Sequence, residues 1–256
     1  MKNSYFFSLF KTFFWSFMDY ITKIIKISLL WFVFNFPLFF IIINFPASYL
    51  LLIVILSSPF SLSANYYVLQ ITSQYFSSKK FHLFNKVYSP SEIKISIFFS
   101  GIKKYFFKSI ILIILNAFLI LLLYLNLKFY LKFASKIPYL GLFTLGIFFW
   151  LFLIYILMSI YQIPLIVTKD INVFKAIYQS FLLFLDNPFY TIGCFIFLIS
   201  ITIIFIITIA GFVFIFYGFF ALFTQVAMLT IYQKYDETLE VREEKRTLKN
   251  ILKPWD

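Results

Sequence analysis

One cysteine, Cys194, one histidine, His82, and ten acidic residues are a sparse supply of reactive groups for a chain of 256 residues. A single cysteine excludes an intramolecular disulfide and any metal site built from several thiolates. A single histidine excludes the His-Glu-x-x-His zinc motif, and no nucleophile with a base can be assembled around it. The acids are no more promising. Asp19, Glu92, Asp170 and Asp186 are the only ones before residue 236, so an aspartyl intramembrane protease lacks its two carboxylates at membrane depth. With six glycines in all, nothing resembles a phosphate-binding loop. The chain therefore reads as non-enzymatic, with no cofactor and no metal site.

Charge itself is scarce. Asp, Glu, Lys and Arg make up 12% of the residues, whereas a soluble domain carries about 25%. From Asn187 to Gln233 the chain runs forty-seven residues without one charged side chain. As one straight helix that run would measure roughly 70 Å, more than twice a hydrocarbon core of about 30 Å. It must fold back on itself. What is present instead is apolar: 62% of residues are hydrophobic and 40 are Phe. The fold class is all-α, a polytopic integral membrane protein with about six transmembrane helices and interfacial amphipathic helices. Most of the Phe is expected to face lipid, since acyl chains accept any apolar side chain.

Six spans follow from the apolar runs, at about 27–45, 49–71, 109–127, 139–167, 190–210 and 212–232, in one transmembrane domain (1–233) with a charged tail (234–256). The first stretch resembles a signal peptide, but its apolar run from Ile27 to Phe45 exceeds a usual h-region of about 7–15 residues and is read as a retained span. Pro37 should kink that span, and an uncharged turn at Pro46, Ala47 and Ser48 leads into the next. Ser57, Ser58, Pro59 and Ser61 should break or bend the second span, either around a cavity or with serine hydroxyls satisfying the backbone. Gly211 and Gly218 are expected at the turn between the last two spans.

Outside the spans, Ser8, Lys11, Thr12, Ser16, Asp19, Thr22, Lys23 and Lys26 recur at spacings of three and four, one polar stripe on a helix lying in the membrane interface. A second such stretch covers Ser91 to Ser109, with Ile97, Phe98, Ile102 and Phe106 against Lys94, Lys103, Lys104 and Lys108. With a third near Ile171, the chain reads as three units, each an amphipathic stretch followed by an out-and-back hairpin. Leu248, Ile251, Leu252 and Trp255 suggest a short helix in the tail.

Cytoplasmic loops favour Lys and Arg. Six spans with a cytoplasmic N-terminus place nineteen of the 22 basic residues inside; a single crossing from Asn187 to Gln233 would leave thirteen. Both termini are thus expected in the cytoplasm, at the cell membrane. The lysines have a sufficient partner in the lipid bilayer, and no soluble basic domain points to nucleic acid. Intramembrane ionisable residues, the usual mark of ion paths, are absent from the six spans as drawn. Polar positions remain at Asn35, Asn65, Gln70, Asn116, Gln162 and Gln225, read mainly as packing contacts between helices. The candidate site positions are Pro37, Pro59, Asn65 and Gln70, where a kinked backbone and polar side chains share the membrane interior.

The order of local motifs resembles a known family. Ile27-Ser-Leu-Leu-Trp-Phe-Val-Phe-Asn-Phe-Pro37, then Pro59 with Ala64-Asn-Tyr-Tyr-Val68, are similar to the first two spans of the YesL-like bacterial membrane proteins. The stretch from Phe98 to Ser109, then Ala176-Ile-Tyr-Gln-Ser-Phe181 and Asn187-Pro188, resemble later segments of that family. The resemblance covers about residues 15–232. It implies a multi-spanning plasma membrane protein with no established catalytic residues, an accessory or regulatory component of carbohydrate uptake that contacts transporter subunits. The alternative from the residues alone is a self-sufficient small-solute carrier or channel.

Overall fold

The computed structural model describes residues 2–44, 50–75, 94–134, 137–232 and 234–235. The turn expected at Pro46, His82 and the tail helix lie outside the described residues. Among these residues all regular structure is helical: α1 (Lys2–Asn44), α2 (Leu50–Tyr75), α3 (Ser96–Ala134), α4 (Pro138–Ser159), α5 (Gln162–Lys169), α6 (Val173–Asp186), α7 (Pro188–Ile207), α8 (Ala210–Phe214) and α9 (Phe216–Tyr232). Three segments are long and apolar enough to cross a membrane: Ser96–Phe133, Pro138–Lys169 taken across the α4–α5 junction, and Pro188–Ile207. The protein is a membrane-embedded helical bundle.

α9 is its axis. Tyr217 to Ile231 are buried, with Phe220 half-buried, and α1, α2, α5 and α7 pack around them. The α3–α4 hairpin stands outside, its Ile114, Phe118, Leu125, Phe143 and Trp150 exposed as a lipid-facing surface. The Phe content is therefore divided. Phe10, Phe13, Phe17, Phe197, Phe219 and Phe223 interlock inside the bundle, mostly edge to face, with Phe13 4.8 Å from Phe219 and 5.2 Å from Phe223 and the Phe197 and Phe223 rings tilted by 32°. Such pairs contribute about 0.5–1.5 kcal/mol each beyond the area they bury. Phe is here a structural lattice as well as a lipid-facing filler.

The uncharged run does fold back. Its ends meet where Asn187 Nδ2 donates to Tyr235 Oη at 3.0 Å and Lys234 Nζ donates to Asn187 Oδ1 at 3.3 Å, while Tyr235 Oη donates to Asp186 Oδ2 at 2.9 Å. The turn differs from expectation. It falls at Thr208–Ile209, and Ile209 carries the positive φ of 30° that was assigned to glycine. Gly211 stays at negative φ, and Gly218 is needed for close packing instead.

The second amphipathic stretch is not a separate element, since α3 joins it to the third span without interruption. α1 is two helices that meet in a kink at Tyr20 (φ −119°, ψ 18°), not at Pro37, and that kink sets most of the first stretch off from the first span. The polar stripe on α1 also splits. Thr12 and Ser16 are buried, because a hydroxyl can satisfy itself on its own helix, as Ser16 Oγ does on the Thr12 carbonyl at 2.7 Å; Asp19, Thr22 and Lys26 stay exposed. α6 is set off from the span that follows by Asn187–Pro188. Finally, α2 is helical throughout, without the break expected at Pro59. Pro59 cannot donate to the Ile55 carbonyl four residues back, and Ser58 Oγ takes its place at 2.8 Å.

Candidate functional site

The broken backbone lies elsewhere, between α4 and α5. Pro164 has no N–H to offer the Ile160 carbonyl, and the residue before it is Ile163, with no hydroxyl to substitute. The helix opens into a turn at Ile160–Tyr161 and restarts at Gln162. Irregular backbone at membrane depth is tolerated where it faces protein or a cavity. A cavity of about 380 Å³ lies against this break.

Its lining comes from near the middle of α2 and α7, from α3, from the break itself and from the first half of α9. Asn65, Asn116, Ser159, Gln162, Thr202 and Thr224 supply its polar groups, and none of the lining side chains is charged. Two chains of hydrogen bonds hold the amides. Tyr155 Oη donates to Asn116 Oδ1, and Asn116 Nδ2 donates to Gln162 Oε1 at 2.9 Å. On the other wall Asn65 Nδ2 donates to Tyr217 Oη and to the Ser61 carbonyl, both at 3.0 Å, and Tyr217 Oη donates to that same carbonyl at 2.9 Å. Trp31 stacks on the Tyr217 ring at 4.4 Å with 10° between planes, and its Nε1 donates to Ser61 Oγ. Asn65 is thus fixed from α1, α2 and α9 together.

After these bonds are counted, Asn116 is fully paired, while Asn65 and Gln162 have one atom left each. Asn65 Oδ1 and Gln162 Nε2, on side chains 1% exposed, have no protein partner. An unmatched buried polar group costs about 1–3 kcal/mol. The three lining hydroxyls donate to their own helices: Ser159 to the Ile156 carbonyl, Thr202 to Leu198, and Thr224 to Phe220 and Ala221. The cavity is therefore lined by neutral polar side chains, two of which, Asn65 and Gln162, keep an unmatched atom. Of the described residues, no group of three or more His, Cys, Asp or Glu could hold a metal ion.

The candidate positions from sequence fare unequally. Asn65 lines the cavity. Gln70 is buried further along α2, Pro59 is buried with its backbone compensated, and Pro37 is exposed on α1; none of these three reaches the cavity. Asn116 and Gln162 were read as packing contacts, and half of that reading holds, since they bond to one another across α3 and α5. The signal that marks the site is Gln162-Ile163-Pro164, a proline beside an amide in an apolar run, which is the same logic that drew attention to Pro59.

At the hydrophilic end of α3, Asp170 receives Lys108 at 2.6 Å and Lys104 at 3.1 Å. Partial burial pushes its carboxyl up, but the hydrogen bonds from Lys108 and Lys104 outweigh this and hold it below the usual carboxylate range. The pair ties α3 to the α5–α6 link and leaves the cavity neutral. No protein-family model matches this chain, and no curated protein or solved structure matches it.

Proposed function

We propose that this chain is a non-enzymatic, multi-spanning membrane protein that binds and carries a small uncharged molecule in the cavity at the α4–α5 break. The observation that supports this reading is one cavity lined by two amides with an unmatched buried atom each, Asn65 and Gln162, beside the α4–α5 break. Asn35 and Gln225 also keep an unmatched oxygen but do not line the cavity, so it is the shared cavity that sets Asn65 and Gln162 apart. A discontinuous helix is also where membrane carriers hold their solutes. At about 380 Å³ the space suits a small ligand, at the lower end of the roughly 300–1,000 Å³ found for binding pockets.

Of the two roles suggested by the sequence, the cavity favours the self-sufficient carrier. An accessory component of carbohydrate uptake, the role implied by the YesL-like resemblance, would dock on transporter subunits through its surface and needs no unmatched groups inside its bundle. In the carrier reading the six spans bring both termini to the cytoplasmic side of the cell membrane.

The test is ligand-dependent stabilisation of the purified full-length protein in nanodiscs, screened with uncharged hydroxyl and amide compounds and with charged analogues as controls. A true ligand at about a hundredfold excess over Kd should raise Tm by roughly 5–10 °C. Gln162→Met, which keeps the volume and removes the free donor, should reduce that shift. Should no uncharged compound stabilise the protein, or should the variant respond as the parent does, the cavity is not a binding site.

A further inference from the structure

The mouth of the cavity identifies the route of entry. Two of its lining residues are exposed, Ile199 at 43% and Ile203 at 52%, one turn apart on α7. They continue an exposed apolar face with Ile192, Ile196 and Ile206, and Ile199 lies near the middle of a helix long enough to span a bilayer. The opening is therefore lateral, onto the surface that acyl chains cover. A free sugar or polyol would have to cross hydrocarbon with its hydroxyls unpaired to reach it, at several kcal/mol per group.

The interior identifies the headgroup. Its polar lining is neutral, the amides of Asn65, Asn116 and Gln162 with the hydroxyls of Ser159, Thr202 and Thr224. A hydroxyl group both donates and accepts, so it can pair with neutral amides and hydroxyls of this kind. A carboxylate or an ammonium would find no counter-charge among the lining residues. Building on the reading of the cavity as a ligand site, we propose that its occupant is an uncharged amphiphile with a hydroxyl headgroup on an aliphatic chain, entering from the bilayer beside α7. Its head lies between Asn65 and Gln162, and its chain leaves past Ile199 and Ile203.

The experiment is photolabelling of the full-length protein in phosphatidylcholine nanodiscs with a diazirine-bearing monooleoylglycerol, followed by peptide mapping. Labelling should concentrate on the α7 peptide around Ile199 and on Gln162–Pro164. Excess monooleoylglycerol should suppress it by about tenfold, and methyl oleate, which has no hydroxyl, should need about ten times more to do so, the cost of one buried hydrogen bond. Thr202→Phe, which fills the cavity and leaves both amides in place, should lower labelling as far as the competitor does. Protection by glycerol as strong as that by monooleoylglycerol would overturn the amphiphile and leave the cavity as a site for a water-soluble ligand. Labelling spread evenly over α3 and α4, with no competitor effective, would show bulk lipid contact only and remove both readings.

Discussion

At Gly218 the bundle depends on a missing side chain. A Cβ there would lie 2.7 Å from the Ile24 carbonyl oxygen and from Ser28 Oγ, and 2.8 Å from Ile24 Cγ2. Glycine lets α1 approach closely enough for one hydroxyl to serve α9: the Gly218 N–H donates to Ser28 Oγ at 2.8 Å, and Ser28 Oγ donates to the Ile215 carbonyl at 3.0 Å. The Gly218 N–H is one of the donors at the start of α9 that the helix cannot pair internally, while the Ile215 carbonyl also accepts the Phe219 N–H at 3.0 Å. Gly218→Ala should therefore destabilise the protein by about 1–3 kcal/mol, seen as a lower Tm in nanodiscs. Gly146, with open space around its Cα, is the control, and Gly146→Ala should be neutral or slightly stabilising. Equal Tm values for the two variants would mean that α1 and α9 do not cross this closely.

Pro59 and Pro164 have opposite outcomes that go with the residue before each, whereas α1 continues through Pro37 behind Phe36. Ser58 lends its hydroxyl to the carbonyl that Pro59 abandons, and α2 stays whole; Ile163 has nothing to lend, and the helix opens ahead of Pro164. This predicts a non-additive series. Ser58→Ala should cost about 1–2 kcal/mol by leaving the Ile55 carbonyl unpaired, while the same substitution made with Pro59→Ala should cost little, because the backbone N–H then returns. Thermal unfolding of the single and double variants measures it, and additive costs would rule the compensation out. The serines near Pro59 were visible in the sequence as a disturbed region. Whether they disturb or repair could not be read there, because both outcomes use the same residues and differ only in one rotamer.

For the molecule as a whole, orientation is the outstanding prediction. The six-span reading places Lys132 outside and Lys245 inside, with nineteen of 22 basic residues on the cytoplasmic side. With Cys194 buried and silent, single introduced cysteines are clean probes. Lys132→Cys should react with an impermeant maleimide in intact cells, and Lys245→Cys only after permeabilisation; external reaction at position 245 would reverse the topology of the final hairpin. That hairpin was legible from the sequence, since forty-seven uncharged residues exceed any single crossing. Its turn was not, because Ile209 takes the strained φ while the nearby glycines serve other purposes.

The sequence by itself determined the class of this protein and the reversal of its last apolar run. Both rest on the cost of charge in hydrocarbon and on the length of a helix, which are additive along the chain and need no knowledge of contacts. Only the tertiary structure decided where the site lies. Asn65 and Gln162 become a site because their other atoms are spent on partners 152 and 46 positions away, Tyr217 and Asn116, and because both residues line one space. Hydrogen bonding saturates, so the informative atoms are those that remain after every distant partner has been assigned.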